Sequence, residues 1–96
     1  MAITLTGMRV LVAVAEVGTV AGAAERLGRG APAISMALKQ LEDELGGPLF
    51  EGDRKSLLSD LGRFAYETAR AGLQRYDLAV GNIKAYAAGT MGRLNV

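Results

Sequence analysis

The sequence predicts a mainly helical fold that is organised around two helices joined by a tight turn. Thr19 is a residue type that caps helices, and Gly28 suits the left-handed conformation that ends one. Pro32 then occupies the first helical position, where a helix tolerates proline best, with Gly30 or Ala31 as the cap before it. Apolar residues recur at spacings of 4, 3 and 4 on one face of the second helix: Ile34, Leu38, Leu41 and Leu45. Residues of about 19–46 therefore form a helix-turn-helix, whose second helix commonly enters the DNA major groove.

The composition of the 96 residues restricts the possible functions. The chain has no cysteine and no histidine, which excludes disulfides, thiolate nucleophiles, imidazole bases and the usual zinc ligands. We therefore expect neither an enzyme nor a bound cofactor. No apolar run approaches the roughly 18 residues of a membrane span, and the N-terminus lacks the pattern of a signal peptide. A cytoplasmic protein without a membrane partner is expected.

The charge is small for a nucleic-acid-binding domain, but it is unevenly distributed. The net charge is +1 and the pI is about 8.1, whereas such domains typically have a pI above about 9. Arg26, Arg29 and Lys39 nevertheless have no acidic residue between them, while acidic residues occupy 42–44. Because the local field decides which surface attracts DNA, the position of the charges matters more than their sum.

The segment before the helix-turn-helix, Leu5–Val17, has helical apolar spacing, although its valines also alternate as in a strand. We interpret it as a helix that packs beneath the helix-turn-helix, because about three helices are needed to enclose a core around such a motif. Thr19 has two interpretations. Its hydroxyl either caps the next helix alone, or caps it and also helps the helix N-terminus to hold a DNA phosphate.

A short two-stranded hairpin is predicted over residues of about 49–58. Apolar pairs flank the polar run from Glu51 to Ser56, which marks the tip. Arg54 and Lys55 in this run would reach the phosphates or minor groove of a flanking DNA segment, so that the hairpin acts as a wing. The alternative is an ordinary solvated turn. With the wing included, the DNA-binding domain covers residues 1–58.

A long helix should begin at Ser59 and Asp60, which are favoured at helix N-termini, and end before Gly89. It would be on the order of 40 Å long, too long for a small domain to cover its whole apolar stripe. That stripe comprises Leu61, Ala65, Thr68, Gly72, Tyr76, Ala79, Ile83 and Tyr86. We assign 59–89 to a linker and dimerisation helix. Its uncovered part would meet the same helix of a second copy through Leu73, Tyr76, Val80, Ile83 and Tyr86. The alternative is that the helix folds back on its own domain.

Residues 90–96 begin as a loop and end where a strand-like alternation starts. We expect this segment to be a hinge toward a further domain that is absent from this chain.

The residues described so far resemble the N-terminal DNA-binding region of LysR-type transcriptional regulators. The resemblance covers essentially the whole chain, and its most specific part lies in the helix-turn-helix. It is carried, in order, by Met8-Arg9, Leu11, Ala13–Glu16, Gly18-Thr19, Ala23–Leu27, Pro32–Ser35, Gln40–Glu42, Glu44–Gly46, Leu49–Glu51, Leu58-Ser59 and Gly62.

The resemblance implies a winged helix-turn-helix, followed by a long linker helix that forms a homodimer. In this family a hinge then leads to a two-lobed domain, similar to periplasmic binding proteins, that senses a small metabolite. Gly92–Val96 resembles the start of that domain. A small-molecule effector would therefore act only through a C-terminal domain that is absent from this chain.

The sequence departs from the family where DNA would be read. Gly30 and Ala31 replace a pair of donors before the proline, Met36 replaces a basic residue, and Leu57 replaces a basic residue of the wing. The candidates for base contact are Gly30, Ala31, Pro32, Ser35, Met36 and Lys39, and those for phosphate contact are Thr19, Arg29, Arg54 and Lys55. With several donors missing, we expect specificity to depend more on DNA shape and backbone contacts.

The leading interpretation is a sequence-specific transcriptional regulator that binds double-stranded DNA as a dimer. The alternative is a helical dimerisation or protein-interaction module, in which the helix-turn-helix is only a scaffold. The salt dependence of binding distinguishes the two interpretations, because DNA binding weakens steeply as ionic strength rises.

Overall fold

The computed structural model describes the backbone of residues 3–94 and the side chains of residues 3–89. In chain order the elements are α1 (Leu5–Val17), α2 (Val20–Leu27), α3 (Ala31–Leu45), β1 (Phe50–Glu51), β2 (Arg54–Leu58) and α4 (Asp60–Leu94). The predicted fold class, a winged helix-turn-helix followed by a long helix, is confirmed.

Side-chain oxygens cap the first two helices. Thr4 accepts a hydrogen bond from the Gly7 backbone N–H at 3.0 Å, and Thr19 accepts one from the Gly22 N–H at 3.0 Å. Gly18, with a φ of 89°, ends α1 in the left-handed region that favours glycine. The helical interpretation of Leu5–Val17 is therefore confirmed, because local caps reinforce an apolar face that the tertiary structure buries.

The core lies between α1, the helix-turn-helix and the base of the hairpin. Ala23 of α2 is fully buried, so its small side chain lets neighbouring helices approach closely. The other buried residues of this core are Val10, Leu11, Ala13, Val14, Ala24, Ile34, Leu38, Leu41, Leu49 and Phe50. This packing leaves the opposite face of α3 in solvent.

The start of α3 differs by one residue from the prediction. Gly30, one of the two predicted caps, is the N-cap, so Ala31 takes the first helical position and Pro32 takes the second. Both positions precede the first intrahelical N–H donor, so the missing N–H of proline costs nothing at either. The Gly30 carbonyl accepts from Ala33 N–H at 3.1 Å and Ile34 N–H at 3.3 Å, which closes the first turn.

The hairpin is antiparallel, with Phe50 opposite Leu58 and Glu51 opposite Arg54. A register shift follows Phe50, and Gly52 adopts a φ of 55° at the turn. The predicted two-stranded wing is thus present.

The hairpin is attached to the helices by specific polar contacts. The Glu42 carboxylate accepts from the Leu49 N–H at 2.8 Å. The Ser59 hydroxyl accepts from the Gly62 N–H at 3.0 Å and donates to the Pro48 carbonyl at 2.7 Å. Ser59 is therefore the predicted cap of α4, and it also holds the helix against the base of the hairpin.

The long helix extends further than the sequence predicted. It continues through Gly89 to Leu94, so the expectation of a loop beginning at Thr90 is wrong for residues 90–94. A glycine within a helix costs about 1 kcal/mol relative to alanine but keeps its backbone hydrogen bonds, so Gly89 alone does not end the helix. Asn95 and Val96, where the strand-like alternation was expected, lie outside the described residues.

The molecule is elongated, with extents of 59 × 24 × 22 Å, because α4 continues beyond the helix that supports it. Within residues 3–94, none of the helices is long and apolar enough to cross a membrane.

Candidate nucleic-acid interface

The exposed face of α3 forms one shallow concave surface. Ile34, Leu38 and Leu41 of this helix are buried in the core, which fixes its rotation. The surface, which we call the α3 face, is lined by Pro32, Ser35, Met36, Lys39, Gln40 and Asp43. The structure therefore brings together four of the residues predicted to contact bases, while Gly30 and Ala31 lie at the exposed start of the same helix.

Two residues of the α3 face were missed by the sequence analysis. Gln40 and Asp43 follow Met36 and Lys39 by one helical turn, so helical spacing could have found them. Lys39 Nζ lies 3.8 Å from Asp43 Oδ1, and both side chains are well exposed. Such an exposed pair contributes little stability, so the Lys39 ammonium remains free to exchange Asp43 for another acceptor.

The predicted phosphate contacts in the helix-turn-helix lie at the start of α2 and in the turn after it. The Thr19 hydroxyl caps α2 by accepting from the Gly22 N–H, and the residue remains exposed. Arg29 uses its backbone N–H to close the end of α2, donating to the Ala24 carbonyl at 3.0 Å. Its side chain is exposed and lines a small cavity against α1 together with Thr6 and Arg9.

Arg26 contributes to a polar cluster and not to the α3 face. Its Nη1 donates to Glu16 Oε1 at 2.8 Å, and the Tyr66 hydroxyl donates to Glu16 Oε2 at 2.9 Å. Arg70 Nε lies 3.9 Å from the same carboxylate. The hydrogen bonds from Arg26 and then Tyr66 lower the pKa of Glu16, and the bond to Glu16 raises the pKa of Tyr66. This cluster joins α1, α2 and α4.

The two cations of the wing have different surroundings. Arg54 is exposed, whereas Lys55 is half-buried and its Nζ lies 5.4 Å from the centre of the Phe50 ring. Leu57 is an exposed apolar residue of the same hairpin. Arg54 is therefore the more accessible of the two predicted donors, while Lys55 lies partly over the hairpin base.

The predicted dimer residues on α4 are not all uncovered. Leu73 is only 6% exposed, so the expectation that it belongs to the free part of the helix is wrong. The reason is that α1 packs along this part of α4. An ion pair of 2.8 Å between Arg9 of α1 and Asp77, one helical turn after Leu73, supports this contact. The hydrogen bond to Asp77 raises the pKa of Arg9, whose guanidinium also lies 5.8 Å from the Tyr76 ring centre.

Beyond Asp77 the described side chains of α4 are in solvent, apart from the half-buried Val80. Ile83 is 68% exposed and Tyr86 is 76% exposed, as predicted for an unpartnered face. Phe64 and Leu78, which the sequence analysis did not single out, are also exposed.

A three-helix core that displays one helix face beside a two-stranded hairpin defines the class of winged helix-turn-helix DNA-binding proteins. The family within this class follows from comparison with known proteins. The chain belongs to the lysR family of bacterial regulatory helix-turn-helix proteins, whose family model matches residues 5–63. The resemblance noted in the sequence is thus confirmed.

Named relatives agree with this assignment. The chain is 39% identical over 90 residues to the small neutral protease regulatory protein of Streptomyces coelicolor, covering 93% of this chain and 27% of that protein. It is 40% identical over 72 residues to the RuBisCO operon transcriptional regulator of Allochromatium vinosum, covering 74% of this chain and 24% of that protein. The chain therefore spans about a quarter of the length of these relatives.

Solved structures share the fold along nearly the whole chain. The BenM DNA-binding domain, in complex with benA site 1 DNA, superposes with a TM-score of 0.82 at 34% identity, covering 91% of this chain and 99% of that one. The CbnR DNA-binding domain, in complex with DNA, gives a TM-score of 0.78 at 30% identity, covering 88% and 99%. This chain thus belongs to a family of DNA-binding transcriptional regulators, as the sequence analysis expected.

Proposed function

We propose that this chain binds specific DNA sequences as a homodimer, with α3 in the major groove and the hairpin on the flanking backbone. The chemical groups on the α3 face are the observation that supports this proposal. It presents a hydroxyl, an ammonium, an amide and a thioether on one exposed surface, and its helix is held in place by three buried residues of the opposite side. Such a set can both donate to and accept from base edges, which a merely structural helix does not require.

The base contacts are assigned to the α3 face and its N-terminal corner. Lys39 suits guanine O6 and N7, Gln40 suits adenine N6 and N7, and the Ser35 hydroxyl can pair with several bases. Met36 is an apolar partner for thymine methyl groups. The corner formed by Gly30, Ala31 and Pro32 carries small side chains, which would let the helix approach the groove closely.

The phosphate contacts are assigned to residues around the α3 face. Thr19 and the N-terminus of α2 would hold one phosphate, and Arg29 in the turn would hold another. Arg54 is the main donor of the wing, and Lys55 contributes by turning away from Phe50. Because these contacts position the protein without reading sequence, part of the specificity would come from DNA shape.

The homodimer is assigned to the free part of α4, through Tyr76, Val80, Ile83 and Tyr86. Large apolar side chains exposed along one long helix are typical of an interface with a second copy. Two copies joined in this way would present two α3 helices to half-sites separated by about one DNA turn, roughly 34 Å, or a multiple of it.

Regulation by a small-molecule effector would need a domain outside this chain. The relatives are about four times as long as the aligned region, which leaves room for such a domain. Residues 90–96 would form the hinge toward it. Because its target is bacterial DNA, we place the protein in the cytoplasm.

Selection of bound duplexes from a random-sequence pool at moderate salt tests the proposal. We expect enrichment of a motif with two half-sites at a fixed spacing. A pool that stays random after repeated selection would contradict sequence-specific binding and favour the protein-interaction alternative, which the small net charge of +1 and the apolar α4 surface would suit.

A further inference from the structure

Asp43 is the acidic residue among those that line the α3 face. Its side chain is 70% exposed, and its Oδ1 lies 3.8 Å from Lys39 Nζ. It shares the concave surface with Ser35 and Met36, which are assigned to base contacts. The phosphates of DNA repel a carboxylate in this place, so Asp43 favours binding only where a base donates a hydrogen bond to it.

The other two acidic residues at this end of α3 have different surroundings. The Glu42 carboxylate accepts from the Leu49 N–H at 2.8 Å, so it is engaged in attaching the hairpin. Glu44 is exposed and lines a second concave surface together with Thr4 at the start of α1. Asp43 borders both surfaces, whereas Glu44 borders only the second. Asp43 is therefore the carboxylate of α3 that the proposed binding mode brings to the bases.

The separation of Lys39 and Asp43 matches the hydrogen-bonding groups of one G·C pair. In the major groove, guanine presents the acceptors O6 and N7, and cytosine presents its N4 amino group as a donor. O6 and N4 are hydrogen-bonded to each other within the pair, so they lie about 3 Å apart. An ammonium and a carboxylate 3.8 Å apart can therefore contact both bases of the same pair, the ammonium guanine and the carboxylate cytosine.

An A·T pair fits the same two groups less well. Its N6 amino group lies between two acceptors, adenine N7 and thymine O4, so a carboxylate over it would face an acceptor on each side. In a G·C pair the amino group is at the end of the pattern and has an acceptor on one side only. An ammonium alone can donate to the acceptors of either pair. The carboxylate therefore supplies the discrimination between them.

We propose that Lys39 and Asp43 together read one G·C pair in each half-site, with Lys39 donating to guanine and Asp43 accepting from cytosine N4. This inference rests on the proposed function and adds a specificity-determining residue to it. On the correct pair, the exposed ion pair opens and each group gains a base partner. On other sequences the carboxylate stays beside Lys39 and lowers the affinity.

Selection from the random-sequence pool, repeated with three variants, tests the inference. The unmodified chain should enrich a motif with a G·C pair at the position where Lys39→Ala loses its preference. Asp43→Ala should relax the same position, and its preference for G·C over A·T should fall about fivefold or more. Glu44→Ala is the matched control, because it removes the same charge from the next residue, and it should keep the preference. Circular dichroism confirms that each variant is folded.

A base analogue tests the assigned atom. In the selected duplex, 2-pyrimidinone, which is cytosine without its N4 amino group, replaces the cytosine at that position. The unmodified chain should bind this duplex about fivefold or more weakly than the natural one, whereas Asp43→Ala should bind the two equally. Any effect of the analogue on the duplex itself is common to both proteins.

The other results overturn the inference. An unchanged motif with Asp43→Ala would remove this residue from the reading of bases, and an equal loss with Glu44→Ala would show a general effect of charge. Relaxation at an A·T pair would assign the carboxylate to adenine N6. A pool that stays random with the unmodified chain would contradict the proposed function as well, so the two failures are distinguishable.

Discussion

Lys39 is the cation of the α3 face, and its ion pair with Asp43, at 3.8 Å between exposed side chains, is weak enough to exchange for DNA. We predict that Lys39→Ala weakens binding to the selected site by about 1–3 kcal/mol, because the variant lacks the ammonium group that is proposed to contact a base edge. Titration of a labelled duplex measures the change in affinity.

The matched control for Lys39 is Lys84→Ala, which removes the same charge from α4, outside the α3 face and the wing. Its affinity should remain near that of the unmodified chain. If Lys39→Ala binds as tightly as Lys84→Ala, Lys39 does not belong to the site.

Glu16 connects α1 to both Arg26 and Tyr66, and these hydrogen bonds lower its pKa below the ordinary value of 4.5. A carboxylate with a lowered pKa stabilises the fold above its unfolded value, and this contribution is lost as the pH falls through the folded value. We predict that Glu16→Gln reduces stability near pH 7, and that the difference from the unmodified chain shrinks below about pH 4.5. Urea denaturation at several pH values measures it, and a difference that does not change with pH would contradict the assigned role.

The junction between the hairpin and α4 depends on Gly62. A Cβ at this position would lie 1.9 Å from the Leu49 carbonyl oxygen, which is backbone and cannot rotate away. We predict that Gly62→Ala destabilises the fold by about 1–3 kcal/mol or more, as overpacked sites do. Thermal or urea unfolding measures the loss.

Gly81 is the control within the same helix, because a Cβ there would meet nothing within 4 Å. Gly81→Ala should raise stability by about 0.5–1 kcal/mol through the helix propensity of alanine. Equal effects of the two substitutions would contradict the close approach of α4 to the hairpin.

Local signals account for the elements that the sequence predicted correctly. Thr19 and Ser59 cap their helices through atoms three residues away, so sequence spacing contains the geometry. Leu73 and Phe64 show what local sequence signals do not predict. Whether an apolar residue of α4 is buried depends on where α1 packs against α4, and this long-range contact is not contained in the spacing of the sequence. The end of α4 is a second feature that local signals do not predict, because a helix can end at a glycine such as Gly89 but can also continue through it.

The proposed dimer interface is expected to tolerate no charge at Ile83, which is 68% exposed in the single chain. We predict that Ile83→Glu yields monomers, because pairing would bury an uncompensated carboxylate. The substitution should leave the fold of the single chain unchanged, since this part of α4 has no cover from its own domain.

Analytical ultracentrifugation gives the oligomeric state, and circular dichroism confirms that the variant remains folded. A folded variant that still sediments as a dimer would place the interface elsewhere on the molecule.

The proportions of the molecule connect dimerisation to DNA recognition. Its longest dimension is 59 Å, set by α4, while the DNA-binding unit occupies one end. In the proposed homodimer, the distance between the two α3 helices depends on how the two long helices pair. The Glu16 cluster and the Arg9–Asp77 pair fix each DNA-binding unit to its own long helix.

The dependence of duplex affinity on salt tests the central claim, recognition of DNA by a dimer, most directly. Log affinity should fall linearly with log salt concentration by about 0.9 per phosphate neutralised. If Arg29, Arg54 and Lys55 of both copies each neutralise one phosphate, the slope is about −5. A chain with no duplex affinity at low salt, or with a slope near zero, would contradict DNA recognition through these surfaces.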